Sequence, residues 1–328
     1  MQMVEPVLRS SAALMRHPRN PILTSAQVPY PSDLVFNAGV IKHRGQYVMV
    51  FRNDYHYLHG SAFEGTNIGI ATSSNGIDWE VKPEPCFSMK DEEIIRAYDP
   101  RLTVIEDKVY MTFAVDTKHG LRGGIAATED FEHFTVLSMT VPDNRNMVLF
   151  PEKIGGMYVR LERPLPVYSR GGKDRFDIWI SQSPDLIYWG NSALLASVED
   201  FPFANDKIGP GAPPIKTRDG WLALVHTVDI DHTRGKNGWE DKWAKRYCAG
   251  VMLLDLHDPA KVLGISKAPL IAPETPYETI HGFRTNVVFP TGLIAEEDGT
   301  CKIYYGASDT VISLATARIE DLVALCLK

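Results

Sequence analysis

The 328-residue chain has few cysteines, and they are not arranged as a metal or disulfide motif. The four cysteines are far apart and form no CxxC pair: Cys86, Cys248, Cys301 and Cys326. In a chain of this size, such spacing is typical of buried thiols in a reducing compartment and disfavours disulfide staples or a cysteine metal cluster. We therefore expect free thiols and a cytoplasmic protein.

The chain also lacks an excess of positive charge and a long hydrophobic run. Its 34 Lys and Arg are scattered and are outnumbered by 41 Asp and Glu, which gives a formal net charge of −7. Because a nucleic-acid-binding surface needs a basic stripe, we expect no nucleic-acid partner. Glu5 and Arg9 interrupt the apolar residues at the N-terminus, which predicts neither a secretory signal nor a membrane anchor.

Helical periodicity is missing as well. No segment keeps a 3.6-residue hydrophobic period over three turns, and the apolar runs are short, alternating or continuous, and bounded by Gly, Asp and Pro. The sequence therefore predicts an all-β chain.

Five copies of one two-strand pattern occupy most of the sequence. The paired runs are 36–41 with 47–52, 98–105 with 109–116, 148–154 with 157–163, 211–215 with 221–226, and 288–294 with 303–309. In the clearest copies a polar turn and an aromatic residue follow, as in 67–79, 124–134 and 177–189. Repeated strand pairs of this length are typical of blades around an axis, so we predict a five-bladed β-propeller. It forms one domain, 1–328, with residues 1–30 outside the ring or closing it.

Each copy ends on a polar or charged residue: Arg52, Asp116, Arg163, His226 and Asp309. The inner strands of a propeller line its axial funnel, so we expect these side chains to converge on one place. The pattern assigns no role to Asp116.

Asp99 is the candidate general acid. It lies between Tyr98 and Pro100, at what we expect to be the start of a strand, where proline is tolerated. A partly desolvated carboxyl packed on Tyr98 would have a raised pKa, as a general acid needs. The alternative is that Asp99 caps a turn and pairs with Arg101.

Four basic residues fall at strand boundaries of consecutive repeats: Arg145, Arg163, Lys207 and His226. Cations directed into one funnel repel each other unless an anion lies among them, and guanidinium and ammonium groups suit phosphate or sulfate. The alternative is that each cation pairs with a local acid, such as Glu162, Asp206 or Asp229.

Two insertions and a set of aromatic residues complete the candidate features. The insertions, 168–175 and 226–246, predict either a functional rim or a subunit contact. The aromatic residues Tyr55, Tyr57, Tyr98, Phe203, Trp239 and Trp243 accompany Asn37, Asn53, Asp54, His56 and Asn67. Such rings with short hydrogen-bonding side chains suit sugar binding, or they are core and rim residues.

Three motifs in order, 98–101, 144–153 and 304–310, resemble glycoside hydrolase family 130, and the resemblance runs from about residue 20 to the C-terminus. The resemblance implies a five-bladed propeller and, for most members, an inverting β-mannoside phosphorylase. It implies that Asp99 is the proton donor and that the proton reaches the glycosidic oxygen through the mannose 3-hydroxyl. It places phosphate at Arg145, Arg163, Lys207 and His226, and mannose at Asn37, Arg52, Asp54, Tyr98 and Asp309.

One acid with a cation cluster agrees with phosphorolysis. An inverting hydrolase needs a second carboxylate, typically ~6.5–9.5 Å from the first, to activate water. Phosphate is already a nucleophile, so a phosphorylase needs only the acid. We therefore expect inorganic phosphate as co-substrate, no other cofactor and no metal.

The segments 141–145, 160–164, 203–207 and 235–240 resemble most the branch that acts on β-1,4-mannosyl-glucose. In that case the insertion with Trp239 and Trp243 would shape the glucose site. The alternatives are a phosphorylase of β-1,4-manno-oligosaccharides or β-1,2-mannosides, a β-mannosidase, or a non-catalytic sugar-binding propeller. The resemblance also implies a homo-oligomer.

Overall fold

The computed structural model describes residues 8–165, 176–234 and 244–327, and these form a ring of five antiparallel sheets. The strands are β1 Met15–Arg16, β2 Leu34–His43, β3 Gln46–His59, β4 Ala62–Ser73, β5 Glu80–Val81, β6 Ile94–Ile105, β7 Lys108–Thr117, β8 Gly120–Thr128, β9 Thr135–Met139, β10 Asn144–Leu149, β11 Tyr158–Pro164, β12 Ile178–Ser183, β13 Gly190–Ala196, β14 Lys207–Pro210, β15 Ile215–Lys216, β16 Trp221–Ile230, β17 Lys245–Leu254, β18 Val262–Ile265, β19 Val288–Ala295, β20 Thr300–Ala307 and β21 Val311–Arg318. The predicted five-bladed β-propeller is confirmed.

Each sheet is one blade, and its strands follow chain order from the axis outward, except that β15 of blade 4 pairs with β16 and β1 joins blade 5. Blade 1 contains β2–β5, blade 2 β6–β9, blade 3 β10–β13 and blade 4 β14–β18. Blade 5 combines β19, β20 and β21 with β1 as its outermost strand. The N-terminal residues Met15–Arg16 therefore join the C-terminal strand and tie the two ends of the chain into one sheet.

Apolar side chains between neighbouring blades form the core. The second strand of a blade is buried on both faces, which is why the second runs of the repeats are almost continuously apolar. In β16 every residue from Trp221 to Asp229 is buried. Between blades 1 and 2, Val50 packs with Leu102 and Met111 in one cluster.

The inner strands carry a recurrent bulge. The register of β2 against β3 shifts after Phe36, that of β6 against β7 after Tyr98, and that of β10 against β11 after Arg145. The next residue in each case has a left-handed backbone: Asn37, Asp99 and Asn146 have φ of 53°, 53° and 57°. A bulge re-aims the side chains of its strand.

Asp99 therefore lies in the middle of β6, and the predicted strand start at this residue is wrong. Pro100 is accommodated because the bulge interrupts the hydrogen-bond ladder at this point.

The described residues include two α-helices, α1 Pro276–Thr279 and α2 Ile319–Leu327. The second departs from the all-β chain that the sequence predicts. Its nine residues make less than three turns, and Leu322, Val323 and Cys326 pack against blades 4 and 5. Neither described helix has the length and apolar character needed to span a bilayer.

The whole first insertion, 168–175, lies outside the described residues. So does the part 235–243 of the second insertion, which includes Trp239 and Trp243. The described flank of the second insertion ends in a 3-10 turn, His232–Arg234.

Candidate active site

The bulged inner strands and their partners enclose an inner pocket on the propeller axis. Eight of the ten residues predicted from sequence to form the site line it: Asn37, Arg52, Tyr98, Asp99, Arg145, Arg163, His226 and Asp309. An adjoining outer pocket of about 340 Å³ shares Arg52, Tyr98, Arg145 and Asp309, and it adds Lys207 and Asp116. All five residues that end the sequence copies therefore converge on two neighbouring pockets.

Asp99 is held by three groups from different strands. Asn37 Nδ2 donates a hydrogen bond to Asp99 Oδ1 at 2.9 Å, and Arg52 Nη1 lies 3.6 Å from the same oxygen. Arg101 contacts the backbone instead, because its Nη1 donates to the Asp99 carbonyl at 2.9 Å.

The expected rise in the pKa of Asp99 is wrong for this structure. Burial acts to raise the pKa, but the charges of Arg52 and Arg101 and the hydrogen bond from Asn37 lower it more, so the pKa of Asp99 falls below its ordinary value. Sequence spacing shows Tyr98 and Arg101 beside Asp99, but it does not show that β3 brings Arg52 to the carboxyl.

Asp54 lies in neither pocket and acts on Arg52. Arg52 Nε donates to both carboxylate oxygens of Asp54 at 3.0 Å, and Arg52 Nη2 donates at 2.7 Å. Thr66 Oγ1 donates to Asp54 Oδ1 at 2.7 Å. Asp54 therefore fixes the guanidinium that faces Asp99, and the structure gives it no exposed surface for a sugar.

Arg145 and Arg163 have no carboxylate within ion-pair distance among the residues that the structure describes. The Nε of each is buried and makes no hydrogen bond to the described part of the chain. Burial and the neighbouring Arg145 lower the pKa of Arg163 to about 9. Two of the acids suggested as their partners pair with other arginines. Glu162 lies 2.8 Å from Arg160, and Asp229 lies 2.8 Å from Arg246.

His226 joins this group as a neutral side chain. Its Nδ1 lies 3.2 Å from the Pro210 carbonyl and its Nε2 lies 3.2 Å from Arg163 Nη1. These partners fit an imidazole whose Nδ1 donates and whose Nε2 accepts. Burial and the charges of Arg163 and Arg101 lower the pKa of His226 below its ordinary value. His226 thus orients Arg163 and adds no charge here.

Lys207 enters the outer pocket from the start of β14 and shares one acid with a second lysine. Asp206 Oδ2 lies 3.7 Å from Lys207 Nζ and 3.2 Å from Lys245 Nζ. Burial, Arg163 and Lys245 lower the pKa of Lys207 to about 6. Of the four residues predicted to bind an anion, Lys207 is the one that contacts a local acid.

Asp309 is the second carboxylate of the inner pocket. Arg284 Nη1 donates to its Oδ2 at 3.2 Å. Burial raises the pKa of Asp309, although Arg284 and Arg52 oppose the shift. The two carboxyls of the pocket are therefore shifted in opposite directions.

Sequence reasoning missed Asn146, Tyr247 and Arg284, which also line the inner pocket. A signal existed for Asn146, because it occupies the same left-handed bulge position as Asn37 and Asp99. Asn and Asp tolerate this backbone better than most residues. Tyr247 and Arg284 come from β17 and from the segment before β19, where no repeat pattern marks them.

An exposed group outside the funnel brings together Asp130, Glu132 and His133 with ligand atoms within 4.8 Å of one another. Asp130 and Glu132 line a cleft between blades 1 and 2. His133 Nδ1 already lies 2.8 Å from Asp130 Oδ2, and all three side chains are exposed. The group therefore carries no functional assignment.

Comparison with known proteins gives matches over nearly the whole chain. The family described as β-1,4-mannooligosaccharide phosphorylase, glycoside hydrolase family 130, matches residues 14–328. A β-1,4-mannooligosaccharide phosphorylase of Ruminococcus albus is 33% identical over 326 residues, covering 94% of this chain and 90% of that protein. A 4-O-β-D-mannosyl-D-glucose phosphorylase of Bacteroides fragilis is 29% identical over 368 residues, covering 100% and 88%.

A solved structure agrees with these sequence matches. The β-1,2-mannobiose phosphorylase of Listeria innocua, in complex with β-1,2-mannobiose, superposes with a TM-score of 0.81 at 26% identity, covering 95% of this chain and 99% of that chain. The family match and the coverage of these relatives leave one assignment: the chain belongs to glycoside hydrolase family 130, a family of β-mannoside phosphorylases.

Proposed function

We propose that this protein is an inverting phosphorylase that cleaves β-1,4-mannosyl-glucose with inorganic phosphate to give α-mannose 1-phosphate and glucose. Phosphate attacks the anomeric carbon of the mannosyl residue, the glycosidic bond breaks, and the departing oxygen receives a proton that originates at Asp99. The reaction is reversible over the same groups.

The observation that carries the proposal is the pair Arg145 and Arg163. The other arginines and lysines of the two pockets each have a carboxylate within 4.0 Å: Arg52, Arg96, Lys207, Lys245 and Arg284. Arg145 and Arg163 have none among the described residues, although Arg163 is buried and Arg145 is half-buried with its Nε shielded from solvent. One buried and one half-buried guanidinium group without a counter-charge are costly unless an anion binds between them.

The carboxylates of the inner pocket disfavour hydrolysis. An inverting hydrolase needs a carboxylate that takes a proton from water. Among the described residues, the other acid lining this pocket is Asp309, which Arg284 engages at 3.2 Å. Basic groups occupy the remaining charged positions, which suits an anionic nucleophile that needs no general base.

The substrate proposal is supported by the relative from B. fragilis, which covers the whole of this chain. A second candidate is a β-1,4-manno-oligosaccharide, because the R. albus relative has the higher identity, 33% against 29%. Both candidates share the mannosyl donor and phosphate, and they differ in the sugar that leaves.

The experiment is to incubate the protein with β-1,4-mannosyl-glucose, β-1,4-mannobiose or β-1,2-mannobiose, each with and without phosphate. We expect mannose 1-phosphate only when phosphate is present, and the highest kcat/KM with mannosyl-glucose. Release of free mannose in phosphate-free buffer would contradict phosphorolysis. A higher kcat/KM for mannobiose would contradict the glucose assignment and leave phosphorolysis standing.

A further inference from the structure

Asp116 is the one strand-end residue of the repeats to which neither the sequence nor the proposed reaction assigns a role. Its two carboxylate oxygens have different partners. Tyr98 Oη donates to Asp116 Oδ1 at 2.7 Å, and Arg96 Nε donates to Asp116 Oδ2 at 2.7 Å. The side chain is 27% exposed and lines the outer pocket.

Tyr98 connects Asp116 to the candidate phosphate site. Its ring is buried, with the guanidinium of Arg52 4.7 Å and that of Arg96 5.0 Å from its centroid. The Tyr98 hydroxyl has one proton, and the short contact to Asp116 takes it. The oxygen lone pairs therefore remain available for Arg145 Nη1, which lies 3.4 Å away.

This contact is important for Arg145. Within the described residues, Tyr98 Oη is the one hydrogen-bond partner of the Arg145 side chain, whose Nε is buried without a partner. A guanidinium with several rotatable bonds and one long hydrogen bond is poorly fixed unless that partner is itself held.

We propose that Asp116 is a positioning residue for phosphate binding. By accepting the Tyr98 hydroxyl proton it keeps the Tyr98 oxygen as an acceptor for Arg145 and so holds that guanidinium towards the phosphate. At the same time it pairs with Arg96, which keeps this second arginine from competing for the anion. The inference rests on the proposed function, because it takes Arg145 as a phosphate ligand.

The variant Asp116→Asn separates positioning from simple electrostatics. An amide can accept at one end only, so its nitrogen would face either Arg96 Nε–H or the Tyr98 hydroxyl. In the second case the hydroxyl proton would turn towards Arg145. Loss of a negative charge beside an anion site would by itself tighten phosphate binding, whereas loss of positioning weakens it. The two effects have opposite signs.

The test is isothermal titration of the full-length protein with inorganic phosphate. We expect Asp116→Asn to weaken phosphate binding about tenfold, the size of a lost charge-assisted hydrogen bond. The KM for phosphate rises by a similar factor, and the KM for the mannoside changes little. Glu93→Gln is the matched control, because Glu93 is an exposed acid near the same end of blade 2 that contacts His119 and neither Tyr98 nor Arg96.

A double-mutant cycle with Tyr98→Phe shows whether Asp116 acts through the hydroxyl. We expect Asp116→Asn to have little further effect on phosphate affinity once the hydroxyl is absent. Unchanged or tighter phosphate binding in Asp116→Asn, or additive effects in the cycle, would overturn the inference. If the wild-type protein itself neither binds phosphate nor forms mannose 1-phosphate, the proposed function fails, and this outcome is distinct from both.

Discussion

At the scale of single residues, the protonation of Asp99 depends on what binds beside it. Arg52, Arg101 and Arg145 all lower its pKa. A phosphate between Arg145 and Arg163 would offset part of this positive charge and bring a negative charge near the carboxyl, so the pKa of Asp99 would rise on binding. The acid would then become able to donate a proton when the nucleophile is in place.

Replacing Asp99 by Asn should reduce turnover of mannosyl-glucose by about 10³-fold, within the range for loss of a general acid. A nitrophenyl β-mannoside needs little leaving-group protonation, so its phosphorolysis should fall much less. Steady-state rates of nitrophenol and mannose 1-phosphate formation measure both.

Asp309→Asn is the comparison variant, because Asp309 is the other carboxyl of the inner pocket and its pKa is raised by burial. It should lose activity similarly on both substrates, as expected for a residue that binds the sugar. If the nitrophenyl substrate restored the activity of Asp309→Asn but not that of Asp99→Asn, Asp309 would be the proton donor and Asp99 the sugar-binding residue.

Anion binding should be accompanied by proton uptake at Lys207. Burial and the nearby cations lower the pKa of Lys207 to about 6, so at pH 8 its amine is mostly neutral before an anion binds. A bound anion favours the charged form and raises that pKa. The affinity should therefore decrease as pH rises above about 6, and it should level off below that pH, where Lys207 is already charged.

Sulfate is the suitable probe, because unlike phosphate it does not titrate in this range. Calorimetric titrations at pH 8 in buffers of different ionisation enthalpy should show proton uptake, and Lys207→Gln should reduce it. Equal heats in all buffers for the wild-type protein would contradict proton uptake on anion binding.

The identity of these residues could be predicted from sequence, but their protonation could not. Eight of the ten predicted site residues line one pocket, because the repeat pattern and the motifs mark the positions near the axis. Besides burial, the pKa of Asp99 depends on Arg52 and the neutral state of His226 on Arg163 and Arg101, which other strands bring to them. Such proximities follow from register and bulges rather than from spacing along the chain.

At the scale of secondary structure elements, the inner-strand bulges hold the site together. Strand alternation is easily recognised in sequence, whereas a bulge adds one residue without a distinctive composition. The Asn or Asp that recurs at the bulge position is the one sequence feature that indicates these bulges. The structure shows that Asn37, Asp99 and Asn146 are equivalent left-handed residues.

Gly39 lets blade 1 approach the Asp99 bulge closely. A Cβ added at Gly39 would lie 2.7 Å from Arg101 Cα and 2.8 Å from the Pro100 carbonyl oxygen, which are backbone atoms that a rotamer change cannot move. Gly39→Ala should therefore displace β6, destabilise the fold by about 2 kcal/mol and lower kcat at least about tenfold.

Thermal unfolding and steady-state kinetics test this expectation. Gly190→Ala is the matched control, because Gly190 is also in a strand and has open space where a Cβ would lie. It should leave activity unchanged and stability equal or slightly higher. Wild-type stability and activity in Gly39→Ala would show that blades 1 and 2 are not in close backbone contact.

At the scale of the whole molecule, the ring depends on contacts between its two chain ends. The repeat count predicted five blades, because no blade can bury both faces alone. How the N-terminal segment pairs could not be predicted, since Met15–Arg16 is too short to show a strand pattern. The structure pairs these residues with Thr316 and Ala315 of β21.

Arg16 strengthens this closure through a buried acid. Its Nε donates to Glu278 Oε1 at 2.8 Å and its Nη2 donates to Glu278 Oε2 at 3.0 Å. Tyr305 Oη donates to Glu278 Oε1 at 2.9 Å, and the Glu278 side chain has no exposed surface. Removing Arg16 would leave this carboxylate buried without its counter-charge, which is costly.

Arg16→Met should therefore destabilise the protein by about 3 kcal/mol. Arg19→Met is the matched control, because Arg19 also pairs with an acid, Asp78 at 2.8 Å, but both side chains are about 60% exposed. The control should unfold at the wild-type temperature, because an exposed pair contributes little. The double variant Arg16→Met with Glu278→Gln should recover part of the loss, since it removes the unpaired charge. Equal unfolding temperatures for both single variants would mean that the two chain ends hold together without this ion pair.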